Sequence, residues 1–304
     1  MAAGEGGAGW HGNIIKQYET CQEAVEPGEP VPGWHTVAVS DPGGTSEWGG
    51  VPTDLLMLAR TLIDRAERIV VLTGAGISTD SGIPDFRGPK GVWTRNPKAE
   101  KSSHISYYLS DPEVRRLAWQ SRLDSRAWSA EPNDGHRALV RLERRRKLRA
   151  VITQNIDGLH QAAGTDETKV VEIHGTIRDV VCMGCDYTAP MQVALDRVRA
   201  GEQDPDCPDC GGILKSATIS FGQSLVAEDL LRAEVAAQNC DLMLAVGSTL
   251  GVWPAAGVVP TAKRHGAGVI IVNAEPTEMD DLADVVIRGQ ISKVLPVLVG
   301  EREL

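Results

Sequence analysis

The chain of 304 residues lacks several features that would place it in a common class of protein. It has no surplus of positive charge, because 41 acidic residues outnumber 31 lysines and arginines and leave a formal net charge of −10. This balance argues against a dedicated nucleic-acid-binding protein, which normally carries a basic surplus. No apolar run approaches the about 18 residues of a transmembrane helix, and nothing resembles a signal peptide. We therefore expect a cytoplasmic protein without a membrane span and without sequence-specific binding to nucleic acid.

Cysteine is also scarce, but its arrangement is informative. Four of the six cysteines form two CxxC pairs separated by 21 residues: Cys182, Cys185, Cys207 and Cys210. This pattern favours a metal site in a reducing compartment over a disulfide framework. Four thiolates complete the tetrahedral shell of a structural zinc ion and leave no position for a reactive water. We predict one structural zinc ion, and we expect Cys21 and Cys240 to play no part in it.

The rest of the chain alternates short apolar strands with helices. A helix with apolar residues at helical spacing covers residues 55–66, and a strand follows at 69–72. Further strands are predicted at 150–153, 170–173, 241–246, 269–272 and 284–287, with helices between most of them. Alternating strands and helices indicate an α/β protein with a doubly wound parallel sheet, Rossmann-like, covered on both faces.

The composition divides the chain into three parts. Residues 1–52 are rich in Gly, Pro and Glu and form an N-terminal extension. The Rossmann-like domain comprises residues 53–88, 132–178 and 215–304. Residues 89–131, with a helix at about 113–128, and the cysteine-rich residues 179–214 form a second, smaller domain. A basic amphipathic helix is predicted at 136–149; its charges favour a solvated face, with a docking site for an acidic partner as the alternative.

One stretch, residues 70–88, carries more information than any other. A β-branched strand ends in Gly74-Ala75-Gly76, where the glycines permit a sharp turn and a close approach of the backbone to a ligand. A helix that starts near Ile77 would offer unpaired N–H groups to a pyrophosphate. The full dinucleotide fingerprint requires a third glycine where this chain has Thr79, and an acid about 20 residues later. A tight turn that binds nothing is the alternative.

Polar side chains follow two other predicted strands. Gln154, Asn155 and Asp157 come after the strand at 150–153, and their amides could recognise a carboxamide. Helix capping by Asn155 or Asp157 is the competing interpretation. His174 ends the strand at 170–173, at the edge where open α/β sheets place functional groups. His136 and His160 fall within helices, where we expect structural roles.

Taken in order, these motifs resemble one known family. The segments GAGISTDSGIPDFRG, TQNIDGLH and EIHG, the two CxxC pairs, GST and VNAEPT are similar to those of the sirtuins, NAD-dependent protein deacylases, across about residues 53–300. The resemblance implies that NAD is consumed as a co-substrate while an acyl group moves from a protein lysine to ADP-ribose and nicotinamide is released. The implied protein partner is an acyl-lysine substrate; the oligomeric state is left open.

The resemblance also implies roles for individual residues. His174 would be the general base, with Asn155 and Asp157 beside the nicotinamide and its ribose. The implied cofactor-binding residues are Gly74, Ala75, Gly76, Asp85, Phe86, Arg87, Trp93, Gln154, Asn155, Asp157, Gly247, Ser248, Thr249, Asn273, Glu275 and Ile291.

Three departures from the family pattern bear on the substrate. The strand that would hold the acyl-lysine has Ser220 and Gln223 where the family often has an aromatic residue and an acid. A Tyr-x-x-Arg pair marks members that favour acidic acyl groups; here the nearest equivalent is Trp119 with Arg122, which favours acetyl. The segment GPKGVWT at 88–94 resembles bacterial members that are slow deacetylases or ADP-ribosyltransferases.

The function predicted from these residues is NAD-dependent deacetylation of protein lysines. Protein mono-ADP-ribosylation and removal of long acyl chains are alternative activities of the same site. A zinc-stabilised NAD-binding protein without turnover is the alternative from another class.

Overall fold

The computed structural model describes residues 50–85 and 103–300. The predictions for most of the N-terminal extension, for Cys21, and for Phe86, Arg87, Trp93 and the segment 88–94 lie outside the described residues. No helix in the two described ranges combines the length and apolar character that crossing a bilayer requires.

A six-stranded parallel sheet forms the centre of the structure. Its strands are β1 (Ile69–Thr73), β2 (Leu148–Thr153), β3 (Val170–Glu172), β7 (Leu242–Val246), β8 (Gly268–Val272) and β9 (Val285–Ile287). Their order across the sheet is β3-β2-β1-β7-β8-β9. The order reverses between β1 and β7, and open α/β sheets bind ligands at such a point, outside the carboxyl ends of the strands. The doubly wound parallel sheet predicted from the sequence is thus confirmed.

Within the described residues, six helices accompany the large sheet. They are α1 (Thr53–Arg65), α4 (Asp134–Arg144), α5 (Leu159–Ala163), α7 (Ala227–Gln238), α8 (Val258–Arg264) and α9 (Ile291–Leu298). Strands β1, β7 and β8 are buried along their whole length, as expected when helices cover both faces. On one face, α7 and α8 enclose a cluster that includes Val70, Ile152 and Met243.

A second, three-stranded sheet carries the cysteines. Its antiparallel order is β5-β4-β6, with β4 at Gly175–Cys182, β5 at Thr188–Pro190 and β6 at Leu214–Thr218. It is accompanied by α2 (Ile105–Ser110), α3 (Pro112–Leu123) and α6 (Met191–Arg199). Trp119 of α3 is buried against Val180 and Leu195. We call these elements the cysteine lobe. The predicted domain boundaries stay a prediction. Strand β4 crosses the boundary predicted between residues 178 and 179.

Several elements differ from the sequence prediction. The helix expected at about 113–128 is α3, which ends at Leu123, and a separate 3-10 helix covers Arg126–Trp128. The basic helix predicted at 136–149 ends at Arg144, because Arg146 adopts φ 60° and strand β2 begins at Leu148. The helix expected near Ile77 is a 3-10 helix, Ala75–Ser81. Helix α6 was not predicted, since the composition of residues 179–214 masked its apolar spacing; Met191, Ala194, Leu195 and Val198 are its buried residues.

Candidate functional site

The turn after β1 packs directly on the turn after β7. The N–H of Gly76 donates to the carbonyl of Gly247 at 2.9 Å, and the N–H of Ile77 donates to the carbonyl of Gly74 at 3.1 Å. A Cβ on Gly76 would lie 2.7 Å from the Cα of Gly247, and one on Gly74 would lie 2.7 Å from the carbonyl oxygen of Gly247. These glycines are therefore required by contact between two turns. The amides of Gly76 and Ile77 already have partners, contrary to the expectation that they are unpaired.

The residues after β2 lie beside this turn. Gln154 donates from Nε2 to Oγ of Ser248, at the end of β7, at 3.0 Å. Asn155 is 8 % exposed and uses Nδ2 to donate to the carbonyl of Gly74 and to Oγ of Ser78, both at 3.1 Å. The amide of Asn155 thus ties β2 to the glycine turn, a role that neither sequence interpretation included.

The side chain of Ser78 links Asn155 to Asp157. Its hydroxyl donates to Oδ2 of Asp157 at 2.7 Å and accepts from Asn155. The N–H of Leu159, the first residue of α5, donates to the other oxygen of Asp157 at 3.0 Å, although the N-cap position itself is Gly158. Burial raises the pKa of Asp157, and the hydrogen bonds from Leu159 and Ser78 oppose that rise. Ser78 was not predicted as a site residue. The one feature of the sequence that could have indicated it is a small polar residue inside the GAGIS turn.

His174 follows β3 at the same edge. Its Nδ1 lies 3.1 Å from the backbone carbonyl of Gln154. Because a carbonyl only accepts hydrogen bonds, Nδ1 carries the proton and Nε2 keeps its lone pair. Burial lowers the pKa of His174, and the hydrogen bond to Gln154 opposes that shift. The imidazole is therefore neutral near pH 7 with one nitrogen ready to accept a proton.

The strand segment predicted to hold the acyl-lysine starts in β6 and passes His174. The N–H of Ile219 donates to the carbonyl of His174 at 2.7 Å, and Gly175 is paired with Thr218. Further along, the N–H of Ile105 donates to the carbonyl of Phe221 at 2.9 Å. Gln223, which stands in place of an acid, accepts from the N–H of Ser220 within its own loop.

The remaining predicted binding residues are spread along the same edge. Asn273, after β8, is 8 % exposed and donates to the carbonyl of Glu275 at 2.7 Å. Ile291 is buried at the start of α9, whereas Glu275 is exposed. Asp85, Ser248 and Thr249 are half-buried, and Ala75 opens the 3-10 helix. The structure thus places the described residues of the predicted set after β1, β2, β3, β7, β8 and β9.

His136 and His160 lie below this edge and are buried, which agrees with their expected structural roles. Nε2 of His160 is 2.9 Å from Oγ1 of Thr73, and His136 closes a capping box with Asn133 at the start of α4. Burial lowers the pKa of His136 to about 4 and that of His160 to about 3.

The four predicted metal ligands come together in the cysteine lobe. Their sulfur atoms all lie within 4.8 Å of one another; Cys182 and Cys210 are 3.5 Å apart, and Cys185 and Cys207 are 3.6 Å apart. Zn–S bonds of about 2.3 Å in a tetrahedron place sulfurs about 3.8 Å apart. The N–H of Gly184 donates to Cys182, and lowers the pKa of that thiol to about 7. The site therefore fits one structural zinc ion.

Together, the sheet order, the polar groups at its carboxyl edge and the four-sulfur site define a class: a nucleotide-binding α/β protein with a structural metal lobe. Comparisons with known proteins narrow this class. The sequence profile of the Sir2 family matches residues 74–254. "NAD-dependent protein deacetylase 2" of Streptomyces coelicolor is 53 % identical over 230 residues, which cover 76 % of this chain and 95 % of that relative.

Solved structures agree with the sequence comparison. One from a study of the mechanism and regulation of Sir2 enzymes superposes with a TM-score of 0.75 at 39 % identity, covering 82 % of this chain and 98 % of the other. A Sir2 protein bound to an acetylated peptide superposes with a TM-score of 0.70 at 31 % identity, and the match covers 81 % of this chain and 98 % of that protein. The chain belongs to the Sir2 family.

Proposed function

We propose that this protein is an NAD-dependent protein-lysine deacetylase that consumes NAD, moves the acetyl group to ADP-ribose and releases nicotinamide. The observation that carries this proposal is the convergence of His174, Asn155 and Asp157 at one edge of the sheet in a chain that belongs to the Sir2 family. The Streptomyces relative bears the name of the same activity.

His174 is proposed as the general base. With Nδ1 held by the carbonyl of Gln154, the lone pair of Nε2 is the group that would take a proton from a ribose hydroxyl. A general base has to be neutral to take up a proton, and its pKa should lie near the working pH. Burial lowers the pKa of His174, which favours the neutral imidazole.

Asn155 and Asp157 are proposed to bind the nicotinamide side of NAD. Both are fixed by Ser78, so their positions are set before the co-substrate arrives. The phosphate and adenosine side is assigned to Gly247, Ser248, Thr249 and Asn273, after β7 and β8, with Glu275 and Ile291 nearby. The other residues proposed to bind NAD are Gly74, Ala75, Gly76, Asp85, Phe86, Arg87, Trp93 and Gln154.

The zinc ion would be held by the four cysteines and would take no part in the reaction. Four sulfur ligands complete its coordination, so it supplies structure only. Its contribution is to hold β4 and β6, which flank His174 through Gly175 and Ile219. The four thiols also support a cytoplasmic location, since a reducing compartment keeps such a site from oxidising to disulfides.

Acetyl is the proposed acyl group. Trp119, the nearest equivalent of the tyrosine in members that favour acidic acyl groups, is 1 % exposed and packs inside the cysteine lobe. The guanidinium of Arg122 donates from Nε and Nη2 to Oγ of Ser216, both at 3.3 Å. The tryptophan therefore supplies no phenol for an acyl carboxylate, and the arginine is already engaged.

The test is product analysis with a panel of acyl-lysine peptides and NAD. We expect equal amounts of nicotinamide and O-acetyl-ADP-ribose from the acetylated peptide, and slower release from the succinylated one. Mass spectrometry identifies both products. Nicotinamide release with ADP-ribose retained on protein would assign the site to ADP-ribosylation, and NAD binding without nicotinamide release would contradict catalysis.

A further inference from the structure

A basic surface lies at the amino ends of β1, β2 and β3, on the edge of the large sheet opposite His174. It contains two clefts of about 540 Å³ and 420 Å³ that share Arg68 and Arg149. The basic residues that line them are Arg68, Arg145, Arg146, Lys147, Arg149, Lys169 and Arg232. Among the described residues, Glu67 is the one acid in the lining. We call this surface the basic face; the proposed deacetylation mechanism does not use it.

Much of this charge is neutralised within the protein. Arg145 lies 2.5 Å from Asp64, and Lys169 lies 3.0 Å from Glu143. Arg68 and Arg232 are likewise near Asp241 and Asp229. Lys147 donates to backbone carbonyls of Asp64 and Ala66.

Three of these cations have no acidic partner in the described ranges. Lys147 keeps its charge, because its hydrogen bonds go to neutral carbonyls. Arg146 and Arg149 are exposed and form no ion pair with any residue in the described ranges. Arg149 is the one exposed residue of the otherwise buried strand β2. Arg146 has φ 60°, a left-handed conformation that favours glycine at the end of a helix. Less the charge of Glu67, these three cations leave an excess of about two positive charges. Such an excess suits a moderately acidic ligand better than a long polyanion, which needs many simultaneous phosphate contacts.

An apolar stripe adjoins these cations. Leu231 and Val235 stand one helical turn apart on α7 and are 61 % and 48 % exposed. Val235 lines the larger cleft together with Val171 and Ala236. Among the residues that the structure describes, no aromatic side chain lines either cleft, so these residues supply none of the stacking surfaces that single-stranded nucleic acids use. Cations beside exposed aliphatic side chains match a peptide that carries both acidic and apolar residues.

We propose that the basic face binds an acidic, amphipathic segment of a protein partner that is distinct from the lysine substrate. Its acidic side chains pair with Arg146 and Arg149, and its apolar side chains cover Leu231 and Val235. Because the basic face and His174 lie at opposite edges of the sheet, the partner leaves the acetyl-lysine site open. This inference is independent of the deacetylase proposal.

The experiment measures binding by fluorescence anisotropy with a labelled synthetic peptide that alternates glutamate and leucine at helical spacing. We expect the Arg146→Glu, Arg149→Glu double variant to lose about tenfold in affinity, since each reversal replaces an attraction to the acidic peptide by a repulsion. Val235→Ser should weaken binding without changing its salt dependence. Arg199→Glu, an exposed arginine on α6 of the cysteine lobe, is the matched control and should bind as the native protein does.

Deacetylation of a short acetylated peptide should be unchanged in all three variants, which also shows that they fold. The proposal is overturned if the labelled peptide does not bind, or if the double variant and the Arg199→Glu control bind equally. Tighter binding of an all-glutamate peptide or of duplex DNA would overturn the amphipathic peptide as the ligand. Competition with the acetylated peptide would overturn a partner distinct from the substrate.

Discussion

The carboxyl edge of the large sheet and the cysteine lobe are assembled in opposite ways. The edge gathers Ser78, Asn155, Asp157 and His174 from three different strand ends, and each is held by hydrogen bonds to another of those strand ends. The lobe gathers two local CxxC pairs whose sulfurs converge on one point. The site at the carboxyl edge therefore depends on the packed sheet, whereas the cysteine site depends on a metal ion. Four experiments test these two requirements.

The largest effect is expected from removing the metal. Cys210→Ser, or a chelator, should release one zinc ion per chain and unfold the lobe, because structural zinc binding contributes roughly 10 kcal/mol to folding. The metal content and the thermal unfolding curve measure this. Cys240→Ala, a buried cysteine outside the cluster, is the control and should retain full zinc. Full zinc content in Cys210→Ser would refute the four-sulfur site.

Replacing the proposed base should reduce activity without loosening the sheet. In His174→Ala we expect deacetylation to fall by about 10²–10⁴-fold, the usual contribution of a positioned general base. The melting temperature should stay close to that of the native protein. His265→Ala is the matched control, because His265 bonds to the carbonyl of Thr261 on α8. Equal activity in both variants would remove His174 from the mechanism.

Acidification should weaken the sheet through its buried histidines. His136 and His160 have pKa values of about 4 and about 3 when folded, against 6.5 when exposed. Below pH 6.5 the unfolded chain takes up protons that the folded chain does not. Stability from this source is therefore complete above pH 6.5 and declines by roughly several kcal/mol as the pH falls toward 4.

Urea unfolding at neutral pH and again about two units lower measures this loss. The double variant His136→Gln, His160→Gln should show a shallower dependence on pH. An unchanged slope would mean that other groups cause the loss.

The smallest effect concerns the contact between the two glycine turns. Gly247→Ala places a Cβ 2.5 Å from the N of Ile77, whereas Gly266→Ala meets nothing within 4 Å; both glycines have positive φ. The two variants share the backbone strain, so their difference isolates the clash, which we expect to cost about 1–3 kcal/mol. Thermal unfolding measures it. Equal stabilities would show that the turns can move apart.

Many of the strands and helices could be predicted from local sequence patterns. The strands at 241–246 and 269–272 were predicted because uninterrupted apolar runs suit a sheet buried on both faces. Helix α6 was missed because its apolar spacing is short and lies among cysteines and turn residues. The overlong helix at 136–149 shows the limit of periodicity: the arginine run continues past Arg144, but the backbone turns at Arg146.

The sequence by itself determined the alternation of strands and helices and the pattern of the four cysteines, because spacing along the chain specifies both. The proposal of His174 as the base rests on the resemblance to the sirtuins and on its place at a strand end. Only the tertiary structure decided that Gly74 and Gly76 serve the contact with Gly247, and that Ser78 links Asn155 to Asp157. The reason is physical: these contacts join residues far apart in the chain. Their geometry exists only after β1, β2 and β7 have paired.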